Sequence, residues 1–291
     1  MRFAVAHLIC LGLVALDFVL RTWRTDAFLR PLGIRLPFSE IFVQSAIGET
    51  ASAISPMRAG GEPARVWAMG VQGVPSRIAI VAVGLEFVAV VAIIALVAIV
   101  LSVTVGGDWW RYAGPGLTRS AIRSWPWLAG IAGLTWLAYL FVRRTRPEFL
   151  RVAGVEFAAA RGHMRDVPLW TYVACTLLTV VQIGVRAAIL PVLAMTLHAP
   201  PPHVAMVVGS FALVYAQALI PAPAGAGAID LGFLGGAAGN LGIEELRLLG
   251  WWRFYSTVVG VVLGIALGLL RFHTNIVTLL VRNQGKGGNA S

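Results

Sequence analysis

The sequence predicts an all-α fold, a polytopic membrane bundle of about seven spanning helices with further re-entrant or broken ones. Three observations predict it. The 291 residues are 58% hydrophobic and 12% charged, with mean hydropathy +0.81, too little charge to cover a domain in water. Several apolar runs reach the roughly 18 residues that a helix needs to cross a bilayer. The formal charge of +10 sits mainly in short segments between those runs, which is the positive-inside pattern. A nucleic-acid partner is therefore not expected.

Taken in order, Phe3 to Leu20 is long enough to span and lacks a convincing small-residue cleavage site, so it reads as a retained helix whose Asp17 faces the bundle. The segment Arg21 to Pro37 sets Arg21, Arg24, Arg30 and Arg35 against Asp26 alone, and is expected in the cytoplasm with the amino terminus outside. Phe38 to Ser55 carries Glu40, Gln44, Glu49, Thr50 and serines. That is too polar for a lipid-facing span, so the segment reads as a re-entrant or buried helix ending at Pro56. Ile78 to Val105 is a clear span with Glu86 inside it.

Gly106 to Ser124 reads as an outer loop edged by Trp109, Trp110, Tyr112, Trp125 and Trp127, interfacial anchors without chemistry. Pro126 to Val142 returns to the inside, where Arg143, Arg144, Arg146, Arg151, Arg161 and Arg165 outnumber the acids up to Asp166. Pro168 to His198, about 31 residues and roughly 46 Å as a helix, exceeds the hydrocarbon thickness, so it tilts, kinks at Pro191 or protrudes. Arg186 lies inside it and needs an acid or phosphate partner. Val204 to Ile220 spans again, Ala228 to Leu241 is short and rich in Gly and Ala, and Leu248 to Leu270 is the last clear span. Residues 1–281 read as one membrane domain, followed by a polar, Gly-rich tail, 282–291.

Two stretches interrupt this apolar pattern. Ser52 to Arg65 holds Pro56, Arg58, Gly60, Gly61, Glu62 and Arg65, and Pro221 to Asp230 holds Pro221, Pro223, Gly225, Gly227 and Asp230. Backbone broken by Pro and Gly leaves polar groups that lipid cannot satisfy, so both stretches must face protein or a watery cavity. One break in each half is the pattern of a transporter-like site built from discontinuous helices, and an inverted repeat fits it. Taken alone, either break also reads as an ordinary turn. Cys10 and Cys175 lie in apolar runs without C-x-x-C spacing, and His198 and His203 lack Cys or carboxylate neighbours, so neither metal nor cofactor is expected.

The first break, Pro56-Met-Arg58-Ala-Gly60-Gly61-Glu62-Pro-Ala-Arg65, followed by a run containing Glu86, resembles the first signature of the lysylphosphatidylglycerol synthase transmembrane family. Pro223-Ala-Gly225-Ala-Gly227-Ala-Ile-Asp230 resembles its second signature, and Trp252-Arg253-Phe254-Tyr255 the start of its last helix. Phe87 and Val90 stand where the family pattern usually offers Arg and Asp, Ala224 replaces a glycine, and Gly60-Gly61 adds one residue to the first motif. The resemblance implies the membrane domain of multiple peptide resistance factor, here expected to stand alone without the aminoacyl-transfer domain. It also implies movement of lipids or lipid-linked compounds in a bacterial cytoplasmic (inner) membrane.

On that reading Arg58, Arg65, Arg186 and Arg253 are candidates for a phospholipid phosphate, because half-helix N-termini and arginines suit an anionic headgroup. Glu49, Glu62, Glu86 and Asp230 are candidates for ion-pair partners, proton carriers or ligands of a cationic headgroup. Each is equally read as an interhelical salt bridge, and Glu62 with Arg65, three apart, pair readily. The expected function is a flippase-like handler of anionic or aminoacylated lipid. The alternative is a non-transporting accessory subunit whose partners are other integral membrane proteins. No P-loop, G-x-S-x-G or H-E-x-x-H occurs, so no enzyme activity is expected.

Overall fold

The computed structural model describes residues 3–104, 167–197, 203–219 and 243–271, together with Pro223, Gly225 and scattered positions between 125 and 162. Among them the fold is all-α, and four helices are long and apolar enough to cross a membrane: Phe3–Leu29, Ser76–Thr104, Leu169–Ala194 and Leu246–Arg271. The outer loop, the charged segment up to Asp166 and most of the second break lie outside the described residues.

Helix α1, Phe3–Leu29, does not stop at Leu20. Arg21 and Arg24 are not loop residues as the charge pattern implies; they belong to the helix, and Arg24 is buried with Thr22 and Thr25. Arginine is a good helix former, and here each guanidinium meets a carboxylate from another element, which removes the cost that would otherwise end the span. The inside signal expected of this segment therefore loses two of its four bases and keeps Arg30 and Arg35.

Helix α2, Phe38–Ile54, ends at Ser55, and α3, Gly61–Val71, runs back along it. Antiparallel contacts fix this hairpin: Arg65 reaches Gln44 at 3.2 Å, and the Gln72 amide donates to the Glu40 carbonyl at 2.9 Å. The buried or re-entrant reading of 38–55 thus takes the form of a helix, a tight turn and a half-helix. Glycine permits the close approach. A Cβ on Gly61 would run into the Ser52 side chain and stand 3.0 Å from the Gly48 carbonyl, and one on Gly48 would run into the Arg65 stem.

Helix α4, Ser76–Thr104, follows, and its apolar surface is largely exposed to where lipid would lie. Helix α5, Leu169–Ala194, is the best-buried span and packs along α1, with Pro191 accommodated inside it. Helix α6, His203–Ala216, tightens into a 3-10 turn, Gln217–Leu219, on entering the second break. The last helix, α7, starts as Ile243–Arg253, widens into a π turn at Phe254–Val258 and continues to residue 271.

Among the described residues two large apolar clusters, with two smaller ones, hold these elements. One joins α1, α2, α5, α6 and α7 through Cys10, Phe18, Ala46, Leu190, Leu213 and Trp252. The other joins α1 to α4 and the Cys175 face of α5 through Phe28, Ile41, Met69 and Ala82. Gly260, Gly264 and Gly268 form a stripe at four-residue spacing against α2, where the Thr50 hydroxyl reaches the Gly260 and Val261 carbonyls at 3.5 and 3.3 Å. A Cβ on Gly264 would overlap the Ala46 carbonyl, so the two backbones meet directly.

Candidate functional site

Helix periodicity places Asp17, Arg21, Arg24 and Thr25 on one face of α1, toward α2 and α5. Two charge clusters grow from that face. The first gathers on Glu49, 2% exposed on α2. Its Oε2 lies 2.6 Å from Nη1 of Arg21, and its Oε1 lies 2.6 Å from Nη2 of Arg58 and 3.2 Å from Nη2 of Arg186. Asp17 completes the group, 3.1 Å from Nε of Arg21 and 3.0 Å from Nε of Arg186. Among the described residues, three guanidiniums meet two carboxylates here, an excess of one positive charge.

Arg58 reaches this centre from the first break, and the turn that carries it is strained. Met57 and Arg58 hold φ of 53° and 58°, left-handed conformations that cost non-glycine residues about 1–3 kcal/mol each. The turn closes through Gly60 N–H to the Ser55 hydroxyl at 2.8 Å. Arg58 also donates to Gln217 at 3.1 Å, in the 3-10 turn that opens the second break. Pro56 and Pro223 form an isolated antiparallel bridge. The two breaks, far apart in sequence, are thus one structural junction.

The second cluster gathers on Glu86 of α4, 1% exposed. Its Oε1 accepts from Nε of Arg24 at 2.8 Å and its Oε2 from Nη2 of Arg65 at 2.5 Å, with the Thr25 hydroxyl at 3.0 Å. Arg65 also pairs with Glu62 at 2.9 Å, and Arg24 donates to Thr179 at 3.3 Å. Two arginines against two acids leave this cluster balanced. Gln182 of α5 joins the clusters, accepting from Arg24 through its oxygen and donating to Asp17 at 2.8 Å through its nitrogen.

Each cluster borders a small cavity. The first, about 20 Å³, is lined by Asp17, Glu49, Arg58, Arg186, Gln217 and residues of the π turn, Tyr255 and Ser256. The second, about 50 Å³, is lined by Arg21, Arg24, Ser45, Ser52, Arg65 and Glu86 among others. A water needs about 10–15 Å³ on this measure, so these spaces take one water and a few, not a headgroup. Ser45, 1% exposed, turns a hydroxyl with no partner among the described residues toward the second cavity.

Of the residues singled out in the sequence, Glu49, Arg58 and Arg186 meet in the first cluster, and Glu62, Arg65 and Glu86 in the second. Arg253 joins neither: its guanidinium carbon sits 5.4 Å from the Trp252 ring centroid, and it lines neither cavity. Pro221, Gly227 and Asp230 lie outside the described residues. Sequence reasoning missed Arg21 and Arg24, assigned to a loop, and gave no role to Gln182 or Gln217. The signal for the first two was present: Asp17, Arg21 and Arg24 are spaced four and three apart, as one helical face requires.

Comparison with known proteins adds the lineage. No curated protein matches the chain. A family described as "Lysylphosphatidylglycerol synthase TM region" matches residues 2–264, which include both charge clusters and both breaks. With nearly the whole described bundle inside that match, this multi-pass membrane protein belongs to the lysylphosphatidylglycerol synthase TM region family.

Proposed function

We propose that the chain is a flippase-like handler of an anionic or aminoacylated lipid, or of a lipid-linked compound, in a bacterial cytoplasmic membrane. The observation that carries this reading is the first charge cluster, where guanidiniums from α1, α5 and the first break outnumber the described carboxylates by one beside the Pro56–Pro223 bridge. Such a centre suits a phosphate, which accepts several charge-assisted hydrogen bonds. Acyl chains would stay in lipid while the headgroup passes through the interior, and the halves on either side of the junction would rock around it. In this reading residues 1–281 act as one membrane domain and carry out no covalent chemistry, with no metal or cofactor. Native mass spectrometry of protein extracted from its own membrane in mild detergent tests it. A stoichiometric phospholipid that is lost in Arg58→Gln, followed by lipid movement in reconstituted vesicles, is the expected result.

A second reading is a non-transporting accessory subunit of a larger membrane assembly. The small cavities favour it, together with the pairing of Arg21, Arg24, Arg58, Arg65 and Arg186 to acids within the chain. A fixed set of co-purifying membrane proteins, with no bound phospholipid, would decide for it and against transport.

A further inference from the structure

Glu49 has an unusual coordination for a side chain that only ties two helices. Three guanidiniums from three separate elements converge on one carboxylate, and its Oε1 is shared by Arg58 and Arg186. A carboxylate offers two oxygens; a tetrahedral phosphate offers more acceptors for the same donors. The charge count among the described residues agrees, because the one positive charge in excess of Asp17 and Glu49 there is what one monoanionic phosphodiester would neutralise. Arg58 is the contact most readily released, since it is held on left-handed backbone beside the Pro56–Pro223 junction. The cavity of about 20 Å³ directly beside it is the space that a withdrawing Glu49 side chain would enlarge.

We propose that Glu49 is an internal stand-in for a phosphate-bearing ligand: it closes the site by occupying Arg58 and Arg186, and the ligand's phosphate displaces its Oε1 from them. This rests on the lipid-handling reading and adds to it a built-in competitor that sets the threshold for loading. Oε2 of Glu49 lies 2.6 Å from Arg21, and in this proposal that ion pair is kept while Oε1 is displaced. The apparent affinity of the site is its intrinsic affinity reduced by the fraction of molecules already open, and removing the competitor raises that fraction.

The test uses full-length protein in a sugar-headgroup detergent, which contains no phosphate. Phosphatidylglycerol is titrated and read by native mass spectrometry, and inorganic phosphate is titrated separately and read as a shift in Tm. Glu49→Gln is expected to tighten phosphatidylglycerol by about tenfold over the natural protein. Tightening for the lipid alone makes a lipid headgroup the source of the phosphate, and tightening for both probes makes it free phosphate as well. If Glu49→Gln is not monodisperse, Glu49→Asp, with its carboxylate withdrawn by one methylene, is expected to tighten binding several-fold. Unchanged or weaker binding in a monodisperse variant, with the natural protein binding, overturns the stand-in and leaves lipid handling intact. Failure of both the natural protein and the variant to bind either probe overturns both.

Discussion

The two charge clusters use the same residue types a helix turn apart on α1, yet they are built differently. Around Glu86 the charges balance, the partners come from regular helices α1, α3, α4 and α5, and side-chain hydroxyls and amides fill the remaining valences. Around Glu49 the described residues leave an excess of one positive charge, and one partner, Arg58, comes from strained backbone at the junction of two broken segments. The difference teaches how to sort ionic groups inside a membrane protein. Balance among rigid helices marks a clasp, whereas excess charge at a break marks a place meant to exchange partners.

The comparison can be broken most forcefully at Glu86. Glu86→Ala leaves Arg24 and Arg65 buried without their shared acid, and is expected to cost about 3–5 kcal/mol in unfolding free energy, seen as a large fall in Tm in detergent. Should it unfold no earlier than an Arg58 variant, the clasp assignment fails. Gly264→Leu comes next. Its side chain would wedge α7 from the backbone of α2, costing about 1–3 kcal/mol, and denaturation in mild detergent measures it. Because α2 carries Glu49, that variant also tells whether a displaced cluster still retains phospholipid.

Arg58→Gln sharpens the contrast from the other side. Glu49 keeps Arg21 and Arg186, so Tm should fall less than in Glu86→Ala. Retained phospholipid should drop by about tenfold or more, read by native mass spectrometry. The smallest effect belongs to Arg30→Gln. Arg30 pairs with Asp26 at 2.6 Å, but its side chain is 66% exposed, and neither Tm nor lipid retention is expected to move beyond error.

Much of this was legible in local sequence signals. An acid inside an apolar run marked Glu86, and Pro-Gly interruptions marked both breaks, because these residue types conflict with their surroundings whatever the rest of the chain does. The end of α1 was not legible in the same way. Arg21 and Arg24 look like the start of a cytoplasmic loop until Asp17, Glu49 and Glu86 are known to lie against them, and that knowledge is tertiary. Gln182 and Gln217 were invisible because a glutamine in a span is as often solvated as bridging. The Gly260, Gly264, Gly268 stripe was readable from its spacing of four and passed unnoticed in a helix that already looked complete.

The π turn at Phe254–Val258 has a consequence for which chain lengths this fold tolerates. A wide turn holds one residue more than an α-helix would, so everything after it is rotated by about 100° relative to a regular continuation. That offset lets Trp252 bury itself in the core while the glycines after the turn meet α2. Deleting one residue within 254–258 would preserve hydropathy and helical propensity, yet turn the glycine stripe away from α2 like a key cut one notch short. The number of residues in this segment is therefore expected to matter as much as the buried Tyr255 within it.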